Sequence, residues 1–294
     1  MTVTAAAPGG AAPGGVDVQL RGVIHLYHQE GLDVVGLRGV DLDIAAGEMV
    51  ALLGPSGMGK STLLQLLAGV MLPSAGSIRL GEIDLGVLGA PGRQELRAAD
   101  VSYIVQDTTR NLLPYATATQ NVWFAQQGIR RRRTPVDPLE LLGLLGLADT
   151  AHQRVADLPR GMQQLVALAV GVAASPRLLL ADEPTNQLDS AATGRVLSVL
   201  QAINDRLGTT IVVVTHDPVV AAALPRTMTI RDGRVGSEGR RGTQFAVVDG
   251  SGSVQLPPGV LQQYPPYSRL IVELEDGRIV LRPENPGDPG EPGH

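Results

Sequence analysis

The stretch GPSGMGKS at 54–61 constrains this chain more than any other part of its 294 residues. It follows the apolar run Met49–Leu53, which reads as a buried strand, and precedes STLLQLLAGV, whose apolar spacing is helical. Strand, glycine-rich turn and helix, in that order, let backbone N–H groups curl around a phosphate. Gly54, Gly57 and Gly59 stand where a side chain would crowd the anion. The helix N-terminus adds partial positive charge. Pro55, Ser56 and Met58 fill out the loop, and Thr62 follows it. Lys60 is expected to bridge the β- and γ-phosphates of a nucleotide. The Ser61 hydroxyl is suited to ligate Mg²⁺.

A second signal supports the first. LLLADE at 178–183 is an apolar strand that ends in two acids. Taken alone, the pair could equally be an acid cluster opening a helix. Downstream of a phosphate loop, Asp182 is expected to hold Mg²⁺ through a water. Glu183 is expected to polarise the water that attacks the γ-phosphate. His216 follows the apolar run IVVVT at 211–215, which places it at the end of a neighbouring strand within reach of that phosphate. Gln106 follows SYIV and is expected to contact both Mg²⁺ and the attacking water.

Strands at 49–53, 101–105, 178–181 and 211–215 alternate with helical patterns, which predicts an α/β domain with a largely parallel sheet. Residues 107–176 are rich in Leu and Ala at helical spacing and predict a helical insert. Arg130 to Arg133 read as a solvated run of charge. Residues 1–16, mostly Ala, Pro and Gly, and residues 284–294 read as disordered tails. GSEGRRGT, at 236–243, reads as a linker. The net charge of −5 argues against a nucleic-acid partner. With no cysteine, a disulfide framework and a thiolate metal site are excluded. The apolar runs near 139–148 and 165–174 are shorter than the roughly 20 residues a membrane helix needs. A membrane role therefore requires a partner.

These residues resemble the ABC transporter ATPases over about 17–235, the domain expected for the cassette. The branch most similar drives lipoprotein release, macrolide export and the FtsE–FtsX division machinery. The resemblance rests on LRGVDLDIAAGEMVALLGPSGMGKSTLLQLLAGV, NLLP at 111–114, LLLADEPTNQLDS and VVVTHDP. It implies a P-loop NTPase fold with an antiparallel β subdomain and a helical subdomain. It also implies ATP and Mg²⁺ as ligands, ATP hydrolysis coupled to transport, and an integral membrane permease as partner. The chain would sit peripherally on the cytoplasmic face of the membrane. Tyr27 matches the aromatic residue that stacks on adenine. Asp189 matches the loop that crosses to a second ATPase subunit. Residues Leu112 to Trp123 match the segment that receives the permease's coupling helix.

The chain departs from the family at one place. The family signature is L-S-G-G-Q, and this chain reads LPRGM at 158–162. Pro159 replaces a serine whose hydroxyl and N–H meet the γ-phosphate held by the opposite subunit, and proline has neither group. Arg160 replaces a glycine and Met162 a glutamine, while Gly161 is kept. The chain's own ATP-holding residues match the family, whereas the signature it would donate does not. The resemblance therefore implies an asymmetric heterodimer with a different ATPase chain carrying an intact signature. The other arrangement is a homodimer whose two altered sites turn over slowly.

Residues 244–283 resemble an AbrB/MazE-type swapped-hairpin unit, with VQLP leading to LIVELEDGRIVLRP and EDG at 275–277 as a hairpin turn. The resemblance implies a dimerisation unit. Two other function classes compete with a transporter subunit. A soluble ABC protein acting on nucleic acid or ribosomes would carry two cassettes, a coiled coil or a zinc hook, and none is evident. A regulatory ATPase that gates a cell-envelope or division complex without transport is not separated from a transporter by sequence.

Overall fold

The structure, a computed structural model, describes residues 14–29, 32–129, 134–240, 243–246, 254, 269–276 and 278–283. The run Arg130–Arg133, the tail beyond residue 283 and most of the segment 247–268 lie outside them.

The chain opens with two long strands, β1 (Val18–Gln29) and β2 (Leu32–Ile44). The buried strand β3 (Met49–Leu53) then delivers the phosphate loop to helix α1 (Lys60–Leu67). Next come β4 (Ala75–Leu80), β5 (Ile83–Asp84), α2 (Ala90–Ala99) and β6 (Val101–Ile104). The helical region follows with α3 (Ala118–Ala125), α4 (Pro138–Leu144) and α5 (Arg160–Val172). The chain returns to the sheet through β7 (Leu178–Asp182), α6 (Ser190–Leu207), β8 (Thr210–Thr215), α7 (Pro218–Ala222) and β9 (Arg226–Arg231). It closes with β10 (Arg234–Arg240), β11 (Thr243–Ala246), β12 (Leu270–Glu275) and β13 (Arg278–Pro283).

One sheet has the order β11-β10-β9-β3-β8-β7-β6, parallel from β9 to β6 and antiparallel at the β9-β10-β11 edge. The other is antiparallel, in the order β2-β1-β4-β5. The central strands alternate between two cores. Val50, Leu52, Leu178, Leu180, Val212 and Val214 pack with the α1 leucines and the antiparallel sheet. Ala51, Leu179, Ala181, Ile211 and Val213 face the helical side. Both faces of the parallel strands are covered, which is why they read as continuous apolar runs.

Two boundaries differ from the sequence reading. Most of the expected linker at 236–243 is strand: β10 runs from Arg234 to Arg240, and β11 resumes at Thr243. The segment is held by charge rather than by apolar alternation. Arg226, buried on β9, donates to both carboxylate oxygens of Glu238, to Glu48 and to the Asp43 carbonyl. Arg240 also reaches Glu238. Burial pulls the Glu238 carboxyl upward, but these guanidiniums outweigh it and leave it below its ordinary value. The end of the expected tail is likewise fixed. Val16 is buried, Gly15 N–H donates to Gly208 O, and the Thr210 hydroxyl donates to Val16 O.

The C-terminal strands β12 and β13 form a two-stranded hairpin with Glu275 opposite Arg278. Asp276 between them takes φ 47°, the left-handed conformation that suits an Asp-Gly turn. Leu270, Val272, Leu274, Ile279 and Leu281 share one face by register. On the other face Arg282 pairs with Glu273 and Glu275.

Candidate active site

The phosphate loop has the shape its glycines allow. Gly57 and Gly59 have φ of 80° and 85°. A Cβ at Gly54 would lie 2.3 Å from the Ile230 carbonyl oxygen, and one at Gly59 would lie 2.4 Å from the Gly36 oxygen. No other residue fits at either point. The Lys60 ammonium is buried and folds back over the loop, donating to the carbonyls of Gly54 (2.5 Å) and Pro55 (2.7 Å). Burial lowers its pKa, against the pull of Glu183 and Asp182.

Adjacent strand ends carry the acids and the histidine. Asp182 closes β7, and Glu183 follows with its N–H bonded to Val214 O of β8. Glu183 has φ 49°, a left-handed conformation that costs a non-glycine residue of order 1 kcal/mol or more and is held only by its surroundings. His216 follows β8 on the exposed rim, and its Nδ1 lies 2.9 Å from Glu183 Oε2. An Nδ1–H donated there fixes the orientation of the carboxylate. Ser56, Gly57, Gly59, Lys60, Ser61, Thr62, Gln106, Asp182, Glu183 and His216 share one cavity of about 360 Å³, with Asn186 and Val214.

The Asp182 carboxyl is raised above its ordinary value chiefly by burial. A hydrogen bond with Ser61 opposes that shift, and the Glu183 charge adds to it. Its Oδ1 is buried without a hydrogen-bond partner. A buried carboxylate oxygen left unpaired beside a hydroxyl and an amide is the donor set a hard cation requires. Asp182, Ser61 and Gln106 therefore fit Mg²⁺.

The other expected residues fall in three places. Tyr27, on β1, is half-buried beside the loop: its hydroxyl is 2.8 Å from Thr62 Oγ1 and its ring meets His25 edge-on at 4.8 Å. Asp189 caps α6 by accepting from Ala192 N–H at 2.7 Å. Pro159, Arg160, Gly161 and Met162 form the start of α5; none lines the phosphate cavity itself, and Arg160 lines the adjoining cavity of about 730 Å³ with Gln106, Asp182 and Asn186. Pro159 is the N-cap and supplies no side-chain bond. Exposed Arg160 donates to Gln187 Oε1. A Cβ at Gly161 would press on Ala192 at 2.9 Å.

Sequence reasoning missed three participants. Asn186 lines the phosphate cavity one turn after Glu183. Gln164, buried on α5, accepts from the Thr108 hydroxyl at 2.8 Å and ties the segment after Gln106 to the signature helix. Tyr103 on β6 donates to Asp182 Oδ2. The one available signal was position, since each lies within a few residues of a motif.

An ABC transporter family model matches residues 37–186. The chain is 39% identical over 226 residues to the lipoprotein-releasing system ATP-binding protein LolD of Anaeromyxobacter dehalogenans, covering 76% of this chain and 93% of that one. It is 38% identical over 220 residues to the macrolide export ATP-binding/permease protein MacB of Escherichia coli K12, covering 74% of this chain and 34% of that one. It therefore spans about a third of MacB. Among solved structures, the dimeric ATP-binding cassette MJ0796 in a post-hydrolysis state with ADP and Pi is similar at a TM-score of 0.68 and 32% identity. That match covers 77% of this chain and 100% of the other. Fold, cavity and similarity agree: the chain belongs to the ABC transporter family, as an ATP-hydrolysing ATP-binding subunit of the LolD and MacB type.

Proposed function

We propose that this chain drives a separate integral membrane permease from the cytoplasmic face. ATP-dependent closure of two ATPase subunits would move the permease, which exports or extracts a lipid, lipoprotein or peptide-like cargo. The observation that carries the reading is the Glu183–His216 contact at 2.9 Å inside the cavity that also holds Lys60 and Ser61. ATP lies along the phosphate loop with Tyr27 on its base. Ser61, Gln106 and Asp182 would hold Mg²⁺, which would neutralise charge on the phosphates. Glu183, oriented by His216, takes the proton of the water that adds to the γ-phosphorus as the bond to ADP breaks.

Surface aromatics support a permease partner. The chain has only 8 aromatic residues among its Trp, Tyr and Phe. Three of them, Tyr115, Trp123 and Phe124, stand exposed on or beside α3, within or next to the segment that resembles the coupling-helix receptor. Exposed aromatics clustered on one surface mark a protein contact. Among the described residues no helix is long and apolar enough to cross a membrane.

The ATPase partner is a different chain with an intact signature, because LPRGM cannot complete the ATP site across the interface in the usual way. The same observation favours one second reading, a regulatory ATPase with slow sites that gates an envelope complex. The hairpin of β12 and β13 adds a dimer contact through its apolar face, on which Val272, Leu274 and Ile279 are exposed. Purification of tagged chain from gently solubilised membranes, followed by native mass measurement, tests these partners. A permease and a second ATPase are expected, with the permease lost in the Tyr115→Ala/Trp123→Ala variant. Recovery of this chain without any membrane protein contradicts the reading. Dimer affinity unchanged on deleting residues 247–294 contradicts the role given to the hairpin.

A further inference from the structure

Tyr103 stands between the two elements that make the site. In β6 it pairs with Leu180 of β7, so its side chain leaves the sheet on the same face as Leu180 and, two residues on, Asp182. That face carries α1, the helix that begins at Lys60 and Ser61, and Tyr103 packs against its core. The phenol hydroxyl is 3.4 Å from Asp182 Oδ2. On its other side lies Gln65 of α1. A phenol keeps its proton at neutral pH, so the Tyr103 hydroxyl donates to the Asp182 carboxylate. The Tyr103 ring thus packs on the core of the phosphate helix while its hydroxyl reaches the carboxylate strand. That hydroxyl engages Oδ2, while the buried Oδ1 has no partner.

We propose that Tyr103 is a positioning residue for the metal site: its hydroxyl holds Asp182 Oδ2 so that Oδ1 is presented to the divalent cation. A carboxylate with one oxygen bonded is restrained in its rotation, and outer-sphere bonds of this kind tune metal affinity. The inference rests on the proposed Mg²⁺–ATP reading of the site. Tyr103 does not line the phosphate cavity; it lines the adjoining one, and its hydroxyl contacts Asp182. Its effect should therefore appear only when metal is present.

The test compares the full chain with its Tyr103→Phe variant, which removes the hydroxyl and keeps the ring. A fluorescent ATP analogue is titrated in EDTA and again across a Mn²⁺ series, and bound Mn²⁺ is counted by electron paramagnetic resonance. The variant is expected to need about tenfold more Mn²⁺ for half-maximal nucleotide binding, within the range for outer-sphere partners of metal ligands. Its affinity in EDTA should match the parent's. In an Asp182→Asn background the same change should add nothing. An unchanged Mn²⁺ requirement, or a loss of affinity equal with and without metal, overturns the inference. If the parent chain itself shows no dependence on Mn²⁺, the metal–nucleotide reading fails instead, so the two failures are distinct. Gln65→Leu serves as a second variant should Tyr103→Phe fold poorly, and it should shift the Mn²⁺ requirement in the same direction by less.

Discussion

The reacting half of the molecule and the start of α5 are built in contrasting ways. Lys60, Asp182 and Glu183 are buried where the phosphate helix meets strands packed on both faces, with Ser61 and Tyr103 bonded to Asp182 and His216 to Glu183. At α5 the cap is a proline without a side-chain bond, and exposed Arg160 reaches to a glutamine of its own chain. The first region is fixed by the core and, on the proposed reading, carries the groups for phosphoryl transfer. The second is held by packing of Met162, Leu165 and the helix beyond them, so exposed Pro159 and Arg160 can change at little cost to the fold, whereas a side chain at Gly161 would meet Ala192. On the proposed reading, one chain holds ATP competently and is still a poor donor to its partner's site.

The largest effect that would break this contrast lies at Glu183. Glu183→Gln keeps size and hydrogen bonding but removes the base, and turnover of the assembled complex should fall about 10²–10⁴-fold with a closed, ATP-bound dimer accumulating. Near-normal turnover, measured as phosphate release, would remove Glu183 from the reaction. Next in size is a change that spares both regions. Arg226→Met leaves Glu48 and Glu238 without their buried partner and should cost about 3 kcal/mol in denaturant titration. The Glu238 carboxyl is held below its ordinary value. Its contribution is therefore complete above the unfolded-state value and is lost as pH falls through the folded one, so parent and variant should converge in acid. A gap that persists or widens in acid contradicts the clamp. Lys60→Ala removes charge-assisted bonds to phosphate and should weaken nucleotide binding about 10–100-fold in equilibrium titration, leaving thermal stability near that of the parent.

The reacting half was legible in the sequence because its chemistry is local. GPSGMGKS and LLLADE each carry their context within a few residues, and the glycines report backbone shape directly. The 236–243 segment was not legible. Strand β10 lies between β9 and β11 near the sheet edge, and Gly, Ser and charge there look like a linker until Arg226, 12 residues before Glu238, is seen to clamp it. Tyr103 was hidden for a related reason. As part of an apolar strand it reads as core, and only the parallel register with β7 brings its hydroxyl to Asp182. Tyr27 was assigned to the adenine by resemblance alone, and nothing in its local sequence foretells the contact with Thr62 beside the phosphate loop.

The contrast between an intact reacting half and an altered donor is tested most directly by restoring the donor. ATP turnover is measured for the chain alone, and for a Pro159→Ser/Arg160→Gly/Met162→Gln variant that recreates the family signature. The restored chain should hydrolyse ATP at least about tenfold faster, because one recovered charge-assisted bond to the γ-phosphate in each site is worth about 1.5 kcal/mol or more. Equal rates for the two chains, with the parent already turning over quickly by itself, would contradict it: LPRGM would then be a working signature, and no second ATPase would be needed.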